Sequence, residues 1–135
     1  MSGAAVVRAL LAAHAAVREL IPNETGIVAG VLPLNSPVPA LSVHTIDESE
    51  IPTMARNLSR RTIVERVQVT ALSRDYTEMK RLLKAAALGR GVHTGEVRGV
   101  RVLSVLPAGV GPEIPRDDGI YEQSRDFMVT FSEAN

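Results

Sequence analysis

The sequence of 135 residues contains no cysteine and no tryptophan, and only 3% of its residues are aromatic. The absence of cysteine excludes disulfide bonds and thiolate metal sites, and it favours a reducing or indifferent compartment. With so few aromatic side chains, the core has to be built from Val, Leu, Ile and Ala, which supply few large anchors. We therefore expect modest stability for an isolated monomer and additional support from neighbouring chains.

Long hydrophobic runs are also missing. No apolar run approaches the roughly 18 residues that a membrane-spanning helix needs. The N-terminal segment MSGAAVVRALLAAHAAVREL carries Arg8, His14 and Arg18 within it, whereas a signal peptide has its charge ahead of a clean apolar stretch. We interpret this segment as a helix and expect no membrane association. The length fits a single domain over residues 1–135.

Net charge is absent overall but not locally. The chain has 15 basic and 15 acidic residues, yet residues 56–101 carry a net charge of +7 and residues 113–135 a net charge of −4. A free nucleic-acid-binding domain usually has an overall positive charge. A basic middle with acidic ends suits contact between copies of the chain or with one partner, and a merely solvated surface is the alternative.

The hydrophobic patterns predict an α+β fold. Helices are predicted over Gly3–Leu20 and 75–88, and strands over 26–32, 40–46, 63–72, 96–106 and 120–133. Segments 47–61 and 107–119 are predicted to be loops, long enough to be functional or partner-bound. The order α-β-β-β-α-β-β predicts a two-layer sandwich in which two helices cover a mostly antiparallel sheet of four to five strands.

Residues 63–88 form the clearest unit of the chain. Alternate positions from Ile63 to Ala71 share one face that should meet a helix, and the intervening positions form a polar face for water or a neighbour. Asp75 is predicted to cap the following helix, with Glu78 three residues later. Its buried stripe is predicted to consist of Tyr76, Met79, Leu82, Leu83 and Ala86.

Residues with catalytic or metal-binding chemistry do not form a recognisable pattern. The three histidines, His14, His44 and His93, are not at a metal-ligand spacing. Ser42 and His44 share one face of a predicted strand and Asp47 follows it, whereas a catalytic triad converges from separate elements around a nucleophile turn. The sequence therefore predicts no catalytic, cofactor-binding or metal-binding residue, and no enzymatic activity.

Two further segments have a structural interpretation and a functional one. GRGVHTG (89–95) follows a helix rather than a strand, so it is a helix stop and turn rather than a phosphate-binding loop. Asp117 and Asp118 are predicted to lie at a solvated loop tip rather than in a cation site. Seven basic residues could contact phosphate: Arg56, Arg60, Arg61, Arg66, Lys80, Arg81 and Lys84. Aromatic residues for base stacking are lacking, so we favour a solvated face or a protein interface for these residues.

The whole pattern resembles the tail terminator, or tail completion, proteins of long-tailed bacteriophages and gene transfer particles. The similarity lies in an opening helix (VVRALLAAHAAVREL), a strand after proline (VPALSVHTIDES), a strand running into an amphipathic helix (RVQVTALSRDYTEMKRLLKAAALG) and a final strand after a Gly/Pro loop (DGIYEQSRDFMVTF). The similarity covers nearly the whole chain as an architecture, without any single specific motif.

The resemblance implies a structural virion protein, assembled in the host cytoplasm and located in the tail or neck. Copies would form a ring, typically of six, which ends polymerisation of the tail tube and joins the tail to the head-closure or neck protein. DNA would pass through the lumen without specific binding. The alternatives are another neck component, such as a head-closure or connector protein, and a small ligand-binding or enzymatic α+β domain.

Seven residues are predicted to contact partners. They lie in the two long loops and on the polar side of the clearest strand: Arg56, Arg60, Arg61, Arg66, Arg116, Asp117 and Asp118.

Overall fold

The computed structural model describes residues 3–33, 36–51, 60–89 and 94–134. Half of these residues lie in strands and a quarter in helices. The helices are α1 (Gly3–Ala13), α2 (Ala15–Leu20) and α3 (Tyr76–Ala85), with a 3-10 turn at Glu24–Gly26; the strands are β1 (Ile27–Ala29), β2 (Ala40–Ile51), β3 (Arg60–Ser73), β4 (Gly95–Val97), β5 (Val100–Val110), β6 (Ile114–Pro115) and β7 (Tyr121–Ala134).

The strands form one mixed sheet that is strongly curled into a half-barrel. Its order is β1-β2-β3-β7-β5-β4, and the short β6 pairs with β7 outside this path. Strand β1 runs parallel to β2, while the other pairings are antiparallel. The predicted two-layer sandwich, with a four- to five-stranded sheet and two helices, is therefore wrong.

One reason for the error is that two predicted loops continue as strands. Residues 47–51 belong to β2 and pair with β3, from Asp47 opposite Arg66 to Ile51 opposite Thr62. Every side chain of this stretch is exposed, so no alternation of apolar and polar residues marks it as a strand. Residues 107–110 likewise extend β5 beyond its predicted end.

The N-terminal helix is also divided, which gives three helices rather than two. His14 has extended backbone angles (φ −86°, ψ 122°) between α1 and α2. Arg18 spans the break, since its guanidinium donates to the carbonyl oxygens of Ala12 at 3.1 Å and Pro22 at 2.6 Å. A helical repeat alone does not reveal such a break, because the apolar spacing continues through it.

Helix α3 follows β3 as predicted, but its start differs in detail. The Asp75 side chain makes no capping bond. Ser73 replaces it: its hydroxyl oxygen accepts from the Asp75 N–H at 3.1 Å and the hydroxyl donates to Glu78 Oε1 at 2.8 Å. Tyr76, predicted to be buried, is 43% exposed. The remaining predicted stripe is buried: Met79, Leu82, Leu83 and Ala86.

The predicted apolar face of β3 is confirmed as the core side of the sheet. Its alternate residues are buried, and the core face of β7 lies beside it with Phe127, Val129 and Phe131 buried as expected. Helices α1 and α3 both contact β3 and β7 and so cover this face. No described helix covers the opposite face of these strands along most of its length.

Glu65 is an acidic residue on the buried face of β3 and is only 3% exposed. Its Oε2 accepts a hydrogen bond from the backbone N–H of Gly3, the first residue of α1, and another from the Thr45 hydroxyl at 3.2 Å. The carboxylate thus caps α1 from the sheet, where the free N–H groups of a helix need an acceptor. A Cβ at Gly3 would collide with the Glu65 carboxylate, which would then have to move away from the start of α1.

Burial is the main reason why the pKa of Glu65 is raised. The bonds from Gly3 and Thr45 oppose this rise, while the neighbouring Glu48 increases it. The folded state consequently binds a proton at Glu65 more readily than the unfolded state does. The stability that Glu65 contributes is greatest below its unfolded-state pKa and decreases as pH rises through the raised value.

Substitutions of Glu65 should separate its capping role from its charge. Glu65→Ala leaves the Gly3 N–H without an acceptor and should lower the free energy of unfolding by about 1–3 kcal/mol. Glu65→Gln keeps an acceptor without a charge. Its free energy of unfolding should therefore equal or exceed that of the wild type at about pH 7.5, and this advantage should disappear toward about pH 5. Urea denaturation at both pH values measures this. An equal loss for Glu65→Gln at both values would contradict the assignment.

Candidate functional site

The face of the sheet that the helices leave uncovered is the main candidate surface. We call it the helix-free face and define it by alternate residues of three strands: Val64, Arg66 and Gln68 on β3, Asp126, Met128 and Thr130 on β7, and Ser104 and Leu106 on β5. The register places these side chains in adjacent rows, with Arg66 opposite Met128 and Met128 opposite Leu106. All of them are partly or fully exposed.

The composition of the helix-free face suits contact with protein. Apolar and uncharged polar side chains alternate across it, and Leu106 is 42% exposed. Its two charged residues, Arg66 and Asp126, neutralise each other. Protein interfaces combine such apolar area with few charges in their centre. The polar face predicted for β3 therefore belongs to a sheet face that is more apolar than the β3 sequence indicated, because β7 adds Met128 and β5 adds Leu106 to it.

Arg66 is bound to two neighbouring strands of this face. Its Nε donates to Asp126 Oδ2 at 2.7 Å, and its Nη2 donates to the carbonyl oxygen of Ala108 at 3.0 Å. These bonds join β3, β7 and an irregular part of β5, where the pairing with β7 shifts between Pro107 and Val110. A planar guanidinium can hold two acceptors at fixed angles, which an ammonium group cannot do.

The distal part of the β2–β3 hairpin is a second candidate surface. We call it the arm and define it as residues 46–51 with 60–62. Strand β1 pairs only with Leu41–Val43 of β2, so in the described chain the outer edge of β2 has no strand partner along the arm. Ile46 and Ile51 are 49% and 45% exposed there. Natural proteins either protect such an edge with charge or use it for pairing.

Arg60 and Arg61 of the arm are bound to the end of β7. Arg60 donates from Nε to Ser132 Oγ and from Nη2 to the Ser132 carbonyl oxygen, both at 2.9 Å. Arg61 donates from Nε to Glu133 Oε1 at 2.9 Å and lies 3.9 Å from Glu50. Hydrogen bonding to Glu133 raises the pKa of Arg61. Both arginines therefore fasten the arm, and the third predicted contact, Arg56, lies outside the described residues.

The acidic turn predicted to contact partners lies at the opposite end of β7. Arg116 Nη2 donates to Asp118 Oδ2 at 2.8 Å, and the carbonyl oxygen of Asp118 accepts from Arg74 at 3.1 Å. Asp117 is exposed. Strand β6 pairs with Tyr121 at the start of β7, about 12 residues and thus about 40 Å of strand from the arm. The structure does not bring the six predicted residues that it describes into one site.

A polar cluster that sequence analysis missed joins α3 to the segment between β5 and β7. Lys80 Nζ donates to Glu113 Oε1 and to Gln123 Oε1, both at 2.7 Å, and the Tyr76 hydroxyl donates to Glu113 at 2.7 Å. The rings of Tyr76 and Tyr121 meet edge to face at 5.7 Å. Lys80 and then Tyr76 lower the pKa of Glu113. Tyr76 and Lys80 lie 37 and 33 residues before Glu113, so the sequence carries no local signal for this cluster.

Within the described ranges, three or more His, Asp or Glu side chains nowhere gather as metal ligands would. No described helix is long and apolar enough to cross a membrane. An apolar groove of about 410 Å³ lies beside β1, lined among others by Leu20, Val31 and Pro39. The described residues that line it include no titratable side chain, and its polar side chains are those of Asn23, Thr25 and Ser36.

Comparison with known proteins identifies a shared fold. No family model matches the sequence, and no curated protein is significantly similar to it. Among solved structures, the chain is similar to a chain of the virion of a native gene transfer agent particle. The TM-score is 0.62 at 15% sequence identity, and the match covers 98% of this chain and 96% of that chain. The two chains therefore share one fold over nearly their entire lengths.

Arg66 and Asp126 should couple in a double-mutant cycle. The pair is partly exposed, with side-chain exposures of 42% and 16%. We expect a coupling free energy of about 0.5–1 kcal/mol between Arg66→Ala and Asp126→Ala, measured by urea denaturation. Arg101→Ala, at an exposed cation on β5 without an ion pair in the described chain, is the control and should change stability by less than about 0.5 kcal/mol. A coupling of zero would contradict the geometry.

Proposed function

We propose that this protein is a structural component of a tailed phage or gene transfer particle. The observation that supports this most is the full-length likeness to a chain of a gene transfer agent virion, with 98% and 96% of the two chains covered. It agrees with the independent resemblance of the sequence to tail terminator proteins. In this proposal the chain has no catalytic role and needs no cofactor or metal.

We further infer that copies of the chain form a ring, of six as in the resembling family, that caps the tail tube. A contact between two different surfaces of identical subunits closes into a ring when its rotation closes. The chain offers several separate surfaces for contacts with copies and other partners, among them the helix-free face and the arm. The tail tube protein and the head-closure or neck protein would be the partners on the two sides of the ring.

The charge distribution suits a lumen through which DNA passes. Each phosphate contact made by a cation strengthens DNA binding and would hold the DNA in place. The chain has no net charge, and Arg61, Arg66 and Arg116 are each paired with a carboxylate within the molecule. These three arginines are thus engaged within the molecule rather than free to retain the DNA.

Location in the particle tests the proposal. The chain, tagged at its C-terminus and expressed in the producing strain in place of the native copy, should be labelled by immunogold at the head–tail junction in negative-stain images. Deletion should yield separate heads together with tails of abnormal length, because tube polymerisation is no longer stopped. The control is a strain with a tagged tail tube protein, which should be labelled along the tail.

Other outcomes identify the alternatives. Junction labelling with unjoined tails of normal length would indicate a head-closure or connector protein instead. Two results together would contradict a virion role and favour the ligand-binding or enzymatic alternative. They are normal, active particles from the deletion strain and no gold label on particles from the tagged strain.

A further inference from the structure

A groove between α2 and α3 carries unpaired positive charge. It has a volume of about 440 Å³, and its walls include Arg81 and Lys84 of α3 with Ala16 and Leu20 of α2. Arg81 and Lys84 are exposed, and neither has an ion-pair partner among the residues that the structure describes. Its walls also include the exposed Glu19 of α2, so they combine apolar side chains with two cations and one carboxylate and keep a net positive charge.

The arm carries the opposite charge on its free edge. Asp47, Glu48 and Glu50 are all exposed on the distal part of β2, with Asp47 on the helix-free side of the sheet and Glu48 and Glu50 on the helix side. Asp47 and Glu48 have no ion-pair partner in the described chain, and Glu50 has only a long contact to Arg61 at 3.9 Å. Ile46 and Ile51 frame these carboxylates with exposed apolar surface.

The two surfaces lie apart within one molecule. Helix α1 begins at Gly3, which is bound to Glu65, and Glu65 pairs with Glu48 of the acidic edge. The residue after α1, His14, lines the groove. The 11 residues of α1 span about 16 Å, four times the reach of an ion pair. The acidic edge of β2 and the α2–α3 groove can therefore contact each other only between two molecules.

We propose that the acidic edge of β2 in one copy docks into the α2–α3 groove of the next copy. This inference rests on the proposed function, because it names the contact that would build the ring. The free charges are complementary in sign, and Ile46 and Ile51 match the apolar walls at Ala16 and Leu20. The contact joins two different surfaces, so it propagates from copy to copy until the ring closes.

Charge reversal and charge exchange test the contact. The arm variant is Asp47→Lys with Glu50→Lys, and the groove variant is Arg81→Glu with Lys84→Glu. Either variant alone should weaken self-association by at least about tenfold, because like charges then face each other. A mixture of the two variants should form mixed arm–groove pairs, and a chain with all four substitutions should regain association. Light scattering after size-exclusion chromatography measures the mass.

Matched controls exclude a general effect of charge. Arg98→Glu with Arg101→Glu changes the net charge as the groove variant does, at two exposed cations of the β4–β5 hairpin. This control should associate like the wild type. Circular dichroism and thermal unfolding of every variant show whether the fold is retained, which is expected because all substituted side chains are exposed.

Cross-linking gives a second measurement that does not require a stable ring. Since the chain has no cysteine, introduced thiols are its only ones. Asp47→Cys protein mixed with Lys84→Cys protein should yield covalent dimers with a short bismaleimide. Glu96→Cys mixed with Lys84→Cys should yield at least about tenfold fewer dimers, because Glu96 lies on β4, away from the arm.

The outcomes separate this contact from the proposed function. Rings that persist in both reversal variants would overturn the contact while leaving a ring-forming virion protein in place. A monomeric wild type without the Asp47–Lys84 cross-link would also overturn it. Loss of association in each variant with recovery in the four-fold variant would support the contact, whatever the position of the gold label.

Discussion

The structure depends on strand β3, which pairs with β2 on one side and with β7 along all 14 residues on the other. One face of this strand is apolar and buried beneath helices, and alternation turns its intervening residues to the opposite face. Glu65 interrupts the apolar face and binds the start of α1. This polar contact fastens the start of α1 to the sheet, while the apolar residues of β3 determine which face the helices cover.

In the proposed function the contacts are made by the surface rather than by a cavity, and internal bonds keep that surface in shape. The ordered contacts of Arg60, Arg61 and Arg66 hold the arm and the helix-free face in shape. The Lys80 cluster does the same for the segment between β5 and β7. A protein that assembles with copies and neighbours needs rigid, shaped surfaces, because every side chain ordered on binding reduces the affinity.

The parts of the fold that could be predicted from the sequence are those in which burial leaves a local period. The alternation in β3 and in Phe127, Val129 and Phe131, and most of the stripe of α3, depend on the residues' own elements and were predicted correctly. The extension of β2 to Ile51 and the parallel pairing of β1 depend on other strands and were not. Arg60 and Arg61 on β3 are exposed as predicted, but their partners Ser132 and Glu133 on β7 are 72 residues away and leave no local signal.

The central claim is that the helix-free face is open in the isolated chain and covered in the particle. Hydroxyl-radical footprinting with mass spectrometry tests it directly, because Met128 lies on this face whereas Met79 is fully buried in the core. The account predicts that Met128 is oxidised in the isolated protein and at least about fivefold more slowly in assembled particles, while Met79 reacts slowly in both. Equal oxidation of Met128 in the two states would contradict the account.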